Sequence, residues 1–239
     1  MDRRRLLWAA LAGGTAMLAG GAARTSFSAD LALARVRIGG GSAVFQSRFG
    51  AMEYAAAGEG PPCIMIHGTG GGFDQGLAFA RRLIAAGRRV IAPSRFGYLR
   101  TAIPADASSE NQADAIADLM DELGVARAPI LGGSAGALSA LHFAIRHANR
   151  CSALAPIVPA TFVPGRAPPA PSALARAIIE YALKSDFLFW AGMNIAEDSM
   201  IGALLATDPA LVYRASAAEQ ARVRLPAARV KGLPAFIFP

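Results

Sequence analysis

Short apolar runs alternate with longer stretches of helical spacing along this chain. Cys63–Ile66, Val90–Ala92, Pro129–Leu131 and Leu154–Val158 are continuously apolar and bounded by Gly or Pro. Runs this short and unbroken suit strands buried on both faces of a parallel sheet. Upstream of them, Ala43–Gln46 and Met52–Ala56 read as two antiparallel entry strands joined through Gly50. Helical patterns fill the intervals. Gly76–Ala86 is closed by Gly87. A second helix opens on the capping-box pair Ser109-x-x-Gln112, carries Ile116, Leu119, Met120 and Leu123 on one side, and stops at Gly124. Alanine-rich Ala135–His147 is the third. Strand–helix alternation at these lengths predicts a doubly wound α/β sheet over residues 30–158.

The pattern changes after Val158. Pro159, Pro164, Pro168, Pro169 and Pro171 crowd one segment, and Ser172–Trp190 and Asn194–Ala206 then read as helices with no strand between them. Residues 159–230 are therefore expected to form a helical cap over the sheet. Residues 231–239 hold a strand-like run, Ala235–Phe238, that starts a further core strand.

Composition narrows the choices. Of 239 residues, 54% are hydrophobic and 17% charged, enough for one large folded domain and contrary to the signature of disorder. The formal charge of +7 is inflated by the N-terminus. Setting aside Asp2, Arg3, Arg4 and Arg5 takes 24 bases and 17 acids down to 21 and 16. The remaining bases form no run and no aromatic interleaving, so they read as a solvated surface and no nucleic-acid face is expected. Arg3-Arg4-Arg5 precedes Leu6-Leu7 and an uncharged Ala/Gly/Leu stretch that ends in Gly21-Ala22-Ala23. This is the order of an export signal, and Arg-Arg-x-Leu-Leu resembles the twin-arginine type. Residues 1–23 are thus expected to direct the protein out of the cytoplasm. They would be a membrane anchor only if left uncleaved, because Leu6–Ala23 is marginal for a span. On this fold Cys63 and Cys151 begin non-neighbouring strands. Two spacings of about 4.8 Å exceed disulfide reach, which predicts two buried free thiols.

Three segments carry candidate chemistry. Gly132-Gly133-Ser134-Ala135-Gly136 matches G-x-S-x-G, with an apolar strand ending just before it and a helix starting just after it. Small residues two before and two after the serine let backbone pass backbone in a sharp turn. Such a turn lifts the hydroxyl off the sheet and aims the Ala135 N–H at a developing oxyanion. His67-Gly68-Thr69-Gly70-Gly71-Gly72 follows the strand Cys63–Ile66, and its glycines let backbone N–H groups face a cleft. Thr69 is the first choice of donor and Gly70 the second. A rival reading as a phosphate loop is disfavoured, as there is no G-x-x-x-x-G-K-[ST] and no G-x-G-x-x-G with a helix directly behind. Pro93-Ser94-Arg95-Phe96-Gly97-Tyr98-Leu99-Arg100 follows the strand Val90–Ala92 and reads as loop packing, with Tyr98 or Arg95 able to line a pocket.

In this order, the three segments resemble the α/β-hydrolase superfamily, in its serine-nucleophile branch. The resemblance runs from about Val44 to Val158. It implies a mostly parallel sheet flanked by helices, a helical cap, and hydrolysis of a carboxylic ester or related small-molecule acyl substrate without a cofactor or metal. Ser134 would be the nucleophile, with Thr69 or Gly70 and Ala135 as the oxyanion hole. In hydrolases similar to this one the loop histidine, here His67, organises the loop and does not serve the serine. His142 and His147 on the following helix read as structural. Epoxide hydrolases and haloalkane dehalogenases of this fold place Asp at the elbow, so Ser134 speaks against both. The resemblance also implies a triad acid after the sixth or seventh strand and a histidine after the eighth. No acid lies between Val158 and Glu180, and no histidine follows His147. Activity of this chain is accordingly expected to be impaired, and three expectations compete: a C-terminally truncated or frameshifted hydrolase with its last strands missing, a chain completed by a partner, or a non-catalytic ligand-binding relative.

Overall fold

A computed structural model describes residues 23–160, 173, 176, 180, 181, 185–195 and 209–221. The strands are β1 (Ala43–Ser47), β2 (Gly50–Ala57), β3 (Pro62–Ile66), β4 (Arg89–Pro93), β5 (Ala128–Gly133) and β6 (Cys151–Ile157). They form one sheet in the order β1-β2-β4-β3-β5-β6. The β1–β2 hairpin and the β2–β4 pair are antiparallel, and β4–β3, β3–β5 and β5–β6 are parallel. Among the described residues, each apolar run read as a strand lies in one, except that Val158 falls just past the end of β6. The β6 strand begins at Cys151, three residues ahead of the apolar run.

Helices among the described residues include α1 (residues 23–38), α2 (Phe73–Phe79), α3 (Arg81–Ala85), α4 (Ser109–Glu122), α5 (Gly136–Arg146), α6 (Asp186–Ile195) and α7 (Pro209–Arg214), and residues 217–221 are helical as well. Successive residues of a strand face opposite sides, and β3 shows what that sorts. Ile64 and Ile66 join Ile91, Ile130, Ile116, Leu119, Met120 and Phe143 beneath α4 and α5. Cys63 and Met65 join Ala80 and Val90, with Leu83 and Ile84 packed against them on the α2–α3 face. The sheet is therefore covered on both sides at β3 and β4, whereas β6 is exposed from Ser152 to Ile157, so the run Leu154–Val158 is not buried as its unbroken apolar pattern implied.

Several expectations change in detail. The single helix over Gly76–Ala86 is two, parted at buried Ala80, whose φ of −90° and ψ of 9° leave the helical basin. Helix α4 is capped by Ser108, whose Oγ accepts the Asn111 N–H, so the cap is one residue earlier than the Ser109 pattern. Gln112 is freed for a tertiary role, its Oε1 accepting from the Phe96 N–H at 2.6 Å. Helix α6 runs through Trp190–Asn194, where the sequence pattern placed a break, and Asn194 Nδ2 donates to Trp190 O inside it. Both cysteines are free, with Cys63 buried and Cys151 only half-buried at the start of β6. Apart from Ala23, the leader 1–23 lies outside the described residues, as do the proline-rich linker from 161 onward and the run Ala235–Phe238.

Helix α1 has no counterpart in the pattern reading. It is tied at both ends. The Trp190 Nε1–H of α6 donates to Asp30 at 2.7 Å, and Phe27 meets the rings of Phe187 and Trp190 edge-on. At the other end, Arg37 pairs with Asp74 at the start of α2. Among the described residues no helix is long and apolar enough to cross a membrane.

Candidate active site

β3 and β5 are parallel neighbours, with Ile66 opposite Gly132. The loops leaving their carboxyl ends therefore start side by side, which brings the His67–Gly72 loop against the Gly132–Gly136 turn. Ser134 holds a φ of +48°, a conformation that costs a residue with a Cβ energy and that clusters at functional sites. The turn is anchored around it. The Ser134 N–H donates to Ile157 O at the end of β6 at 2.9 Å, and Ser134 O accepts from Ala137 and Ala160. The side chain itself is exposed.

Close backbone approach explains the glycines. A Cβ on Gly136 would lie 2.3 Å from His67 O and 2.7 Å from Ile66 O. One on Gly132 would lie 2.6 Å from Gly136 O. So α5 starts in direct backbone contact with the end of β3. A Cβ on Gly68 would lie 3.1 Å from the Ser134 Cβ, which places the glycine loop against the nucleophile.

The loop is held from several sides. His67 is fully buried; its Nε2 accepts the Arg95 N–H at 2.9 Å, so Nδ1 carries the proton and donates to Gly68 O at 2.7 Å. Its ring packs edge-on against Tyr98, over which Arg95 also lies. The Pro93–Arg100 segment thus wraps the loop, as its reading as loop packing implied. Ser94 reinforces this, its Oγ accepting the Phe73 N–H and donating to Glu53 on β2. Glu53 is buried and in turn accepts from Arg100 Nε at 2.7 Å.

Burial, with the Arg95 charge behind it, pushes the His67 pKa down to about 3. Unfolding restores the ordinary value near 6.5, so the unfolded chain takes up a proton between about pH 6.5 and pH 3 that the folded chain refuses. The stabilisation is complete above about pH 6.5 and lost as the pH falls toward 3. Melting temperature is expected to fall from pH 6.5 to pH 5 in the wild type and to fall less in His67→Gln. Equal slopes would refute a buried neutral His67.

Neither of the other histidines reaches the serine. His147 Nε2 bonds Asp114 at 2.8 Å, alongside Arg146, and pins α4 to the end of α5. The Arg146 guanidinium and then the His147 ring hold the Asp114 carboxyl below the usual carboxylate range. His142 faces Glu110 at 3.6 Å. Among the described residues none of the three histidines hydrogen-bonds Ser134. The predicted donors stand differently. The backbone N–H groups of Thr69, Gly70 and Ala135 make no hydrogen bond among the described residues, and both Thr69 and Ser134 are exposed. What the motifs did not mark is Gln75 on α2, whose amide spans the loop: Oε1 accepts from Gly68 N–H at 2.9 Å and Nε2 donates to Thr69 O at 3.3 Å. A lone Gln in a helix gives no sequence signal of such a role.

The comparisons agree with this geometry. A sequence profile described as alpha/beta hydrolase fold matches residues 61–197. The chain is 35% identical over 104 residues to 2-hydroxy-6-oxo-6-phenylhexa-2,4-dienoate hydrolase of Comamonas testosteroni, covering 41% of this chain and 36% of that one. It is 39% identical over 101 residues to 2-hydroxymuconate semialdehyde hydrolase of Pseudomonas sp. (strain CF600), covering 39% and 35%. The chain thus spans about a third of the length of the curated relatives it matches. Among solved structures, an alpha/beta hydrolase fold protein from Nakamurella multipartita superposes with a TM-score of 0.58 at 24% identity, over 82% of this chain and 71% of that one. That likeness speaks for the fold.

Proposed function

The chain belongs to the α/β-hydrolase fold family, and from that premise we propose that it is a serine hydrolase acting on a carboxylic ester or related acyl substrate. The observation that carries this reading is Ser134 at positive φ, exposed at the carboxyl end of β5 and pressed against a glycine loop whose Thr69 and Gly70 N–H groups make no hydrogen bond among the described residues. Ser134 Oγ attacks the substrate carbonyl carbon. The displaced electron pair rests on the carbonyl oxygen, which the Ala135 N–H and that of Thr69 or Gly70 receive. Collapse breaks the bond to the leaving oxygen, which departs as the alcohol with the proton that Ser134 gives up through solvent, and water then attacks the acyl carbon, releasing the acid and returning a proton to Ser134 Oγ. The curated relatives are named for dienoate and semialdehyde substrates, so 2-hydroxy-6-oxo-dienoates join simple esters as the substrates to assay.

The proton acceptor for Ser134 is not one of the three histidines as they are placed. That observation supports a second reading, a ligand-binding relative without turnover. A fluorophosphonate probe separates the two readings. Covalent labelling of the folded chain that depends on Ser134 supports the hydrolase, and folded protein that never labels supports the binding relative.

We further propose that the protein acts outside the cytoplasm, supported by Arg3-Arg4-Arg5 and the uncharged stretch after it. Fractionation of cells producing the wild type and an Arg3→Lys/Arg4→Lys variant checks this. Wild type in the cytoplasmic fraction would count against it, and equal export of both would count against the arginine pair as the signal.

A further inference from the structure

We propose that Gln75 is a positioning residue that sets the oxyanion loop, a role that rests on the acyl-transfer reading above. In a trans peptide unit the N–H points opposite to the C=O, so holding a carbonyl aims the following N–H. Three consecutive units of the loop are held, two through the carbonyl and one through the N–H. The Gly68 carbonyl accepts from His67 Nδ1 and, at 3.5 Å, from Arg95 Nη1, which turns the Thr69 N–H away from the buried ring. The Thr69 carbonyl accepts from Gln75 Nε2, which turns the Gly70 N–H away from α2. The unit before them is held through its own N–H, which Gly68 donates to Gln75 Oε1. One amide therefore fixes two of the three units, and it uses both of its ends to do so.

Packing makes the loop depend on this side chain. A Cβ on Gly71 would lie 2.4 Å from the Gln75 Cβ, so glycine there lets Gln75 lie against the loop. Gly68 sits between the amide and the nucleophile: a Cβ built on it would be 3.6 Å from Gln75 Oε1 and 3.1 Å from the Ser134 Cβ. Rotation of the loop would thus shift the donors relative to Ser134. Donors fixed in advance matter most when charge appears on the oxygen, in the transition state, and little when neutral substrate binds. Loss of Gln75 should accordingly lower kcat and spare KM.

The test uses the whole 239-residue chain as wild type, Ser134→Ala, Gln75→Leu and Gln75→Glu. Three quantities are measured: the rate constant for fluorophosphonate labelling, kcat and KM for p-nitrophenyl butyrate, and the melting temperature. Gln75→Leu is expected to lower labelling and kcat by about 10- to 100-fold with KM within about twofold, since loss of a whole oxyanion donor costs about 10²–10³. Gln75→Glu keeps an acceptor for the Gly68 N–H but repels the Thr69 carbonyl, so it should fall between wild type and Gln75→Leu. It also carries the comparison if Gln75→Leu fails to fold. Wild-type labelling that survives undiminished in a folded Gln75 variant overturns this role alone. Wild type without any Ser134-dependent labelling overturns the acyl-transfer reading and this role with it.

Discussion

Replacing Ser134 with alanine is expected to reduce fluorophosphonate labelling to background and to remove whatever ester hydrolysis depends on the serine, because no second nucleophile stands at the elbow. The informative comparison is Ser134→Ala with Ser134→Gly. Both remove the hydroxyl, so both should lose the reaction equally. Stability should divide them. Alanine keeps a Cβ at a φ of +48°, whereas glycine takes that φ freely. Left-handed backbone costs a residue with a Cβ about 1–2 kcal/mol, and glycine's extra freedom when unfolded costs about 0.5–1 kcal/mol in return. The glycine variant should therefore melt at or above the alanine variant while being equally dead. Covalent labelling that persists in Ser134→Ala would end the serine reading. A glycine variant clearly less stable than the alanine one would end the claim of strain at the elbow.

Gly136→Ala is expected to destabilise the chain by about 3 kcal/mol or more, at the upper end of what overpacking costs, and to take the reaction with it. The added methyl would fall 2.3 Å from His67 O and 2.7 Å from Ile66 O. Those oxygens belong to backbone at the end of β3 and cannot swing aside as a side chain would. Relief requires α5 to back away from β3, and that movement separates the elbow from the glycine loop. Gly40→Ala is the matched control. Nothing lies within 4 Å of a Cβ there, so its effect should stay within about 0.5 kcal/mol. Chemical denaturation of both variants measures the difference, and a Gly136→Ala chain as stable as Gly40→Ala would contradict the packing described here.

The sheet was legible in the sequence because its central strands are buried on both faces, and burial on both faces writes an unbroken apolar run. The elbow was legible because a turn this tight admits only glycine two residues either side of the serine. Other features leave weaker marks. Two adjacent serines, Ser108 and Ser109, offer the same cap chemistry, and only the backbone path selects the first. Helix α1 follows an apolar stretch without a break in composition, so the pattern does not set it apart, and only the fold gives Phe27 and Asp30 their partners on α6. Gln75 is marked by nothing local, because its role comes from two backbone groups six and seven residues upstream that fold back over α2.

The bond between Asp30 and Trp190 joins residues 160 positions apart. Closing so large a loop carries a substantial entropic cost and must await most of the rest of the fold. During synthesis α1 emerges well before its aromatic partners on α6. The Arg37–Asp74 pair gives that helix a provisional hold much sooner, on a partner 37 residues away. Assembly of this end of the molecule is thereby ordered: the glycine loop is braced early from one side, and the opposite end of the brace is secured only when the chain has grown past Trp190.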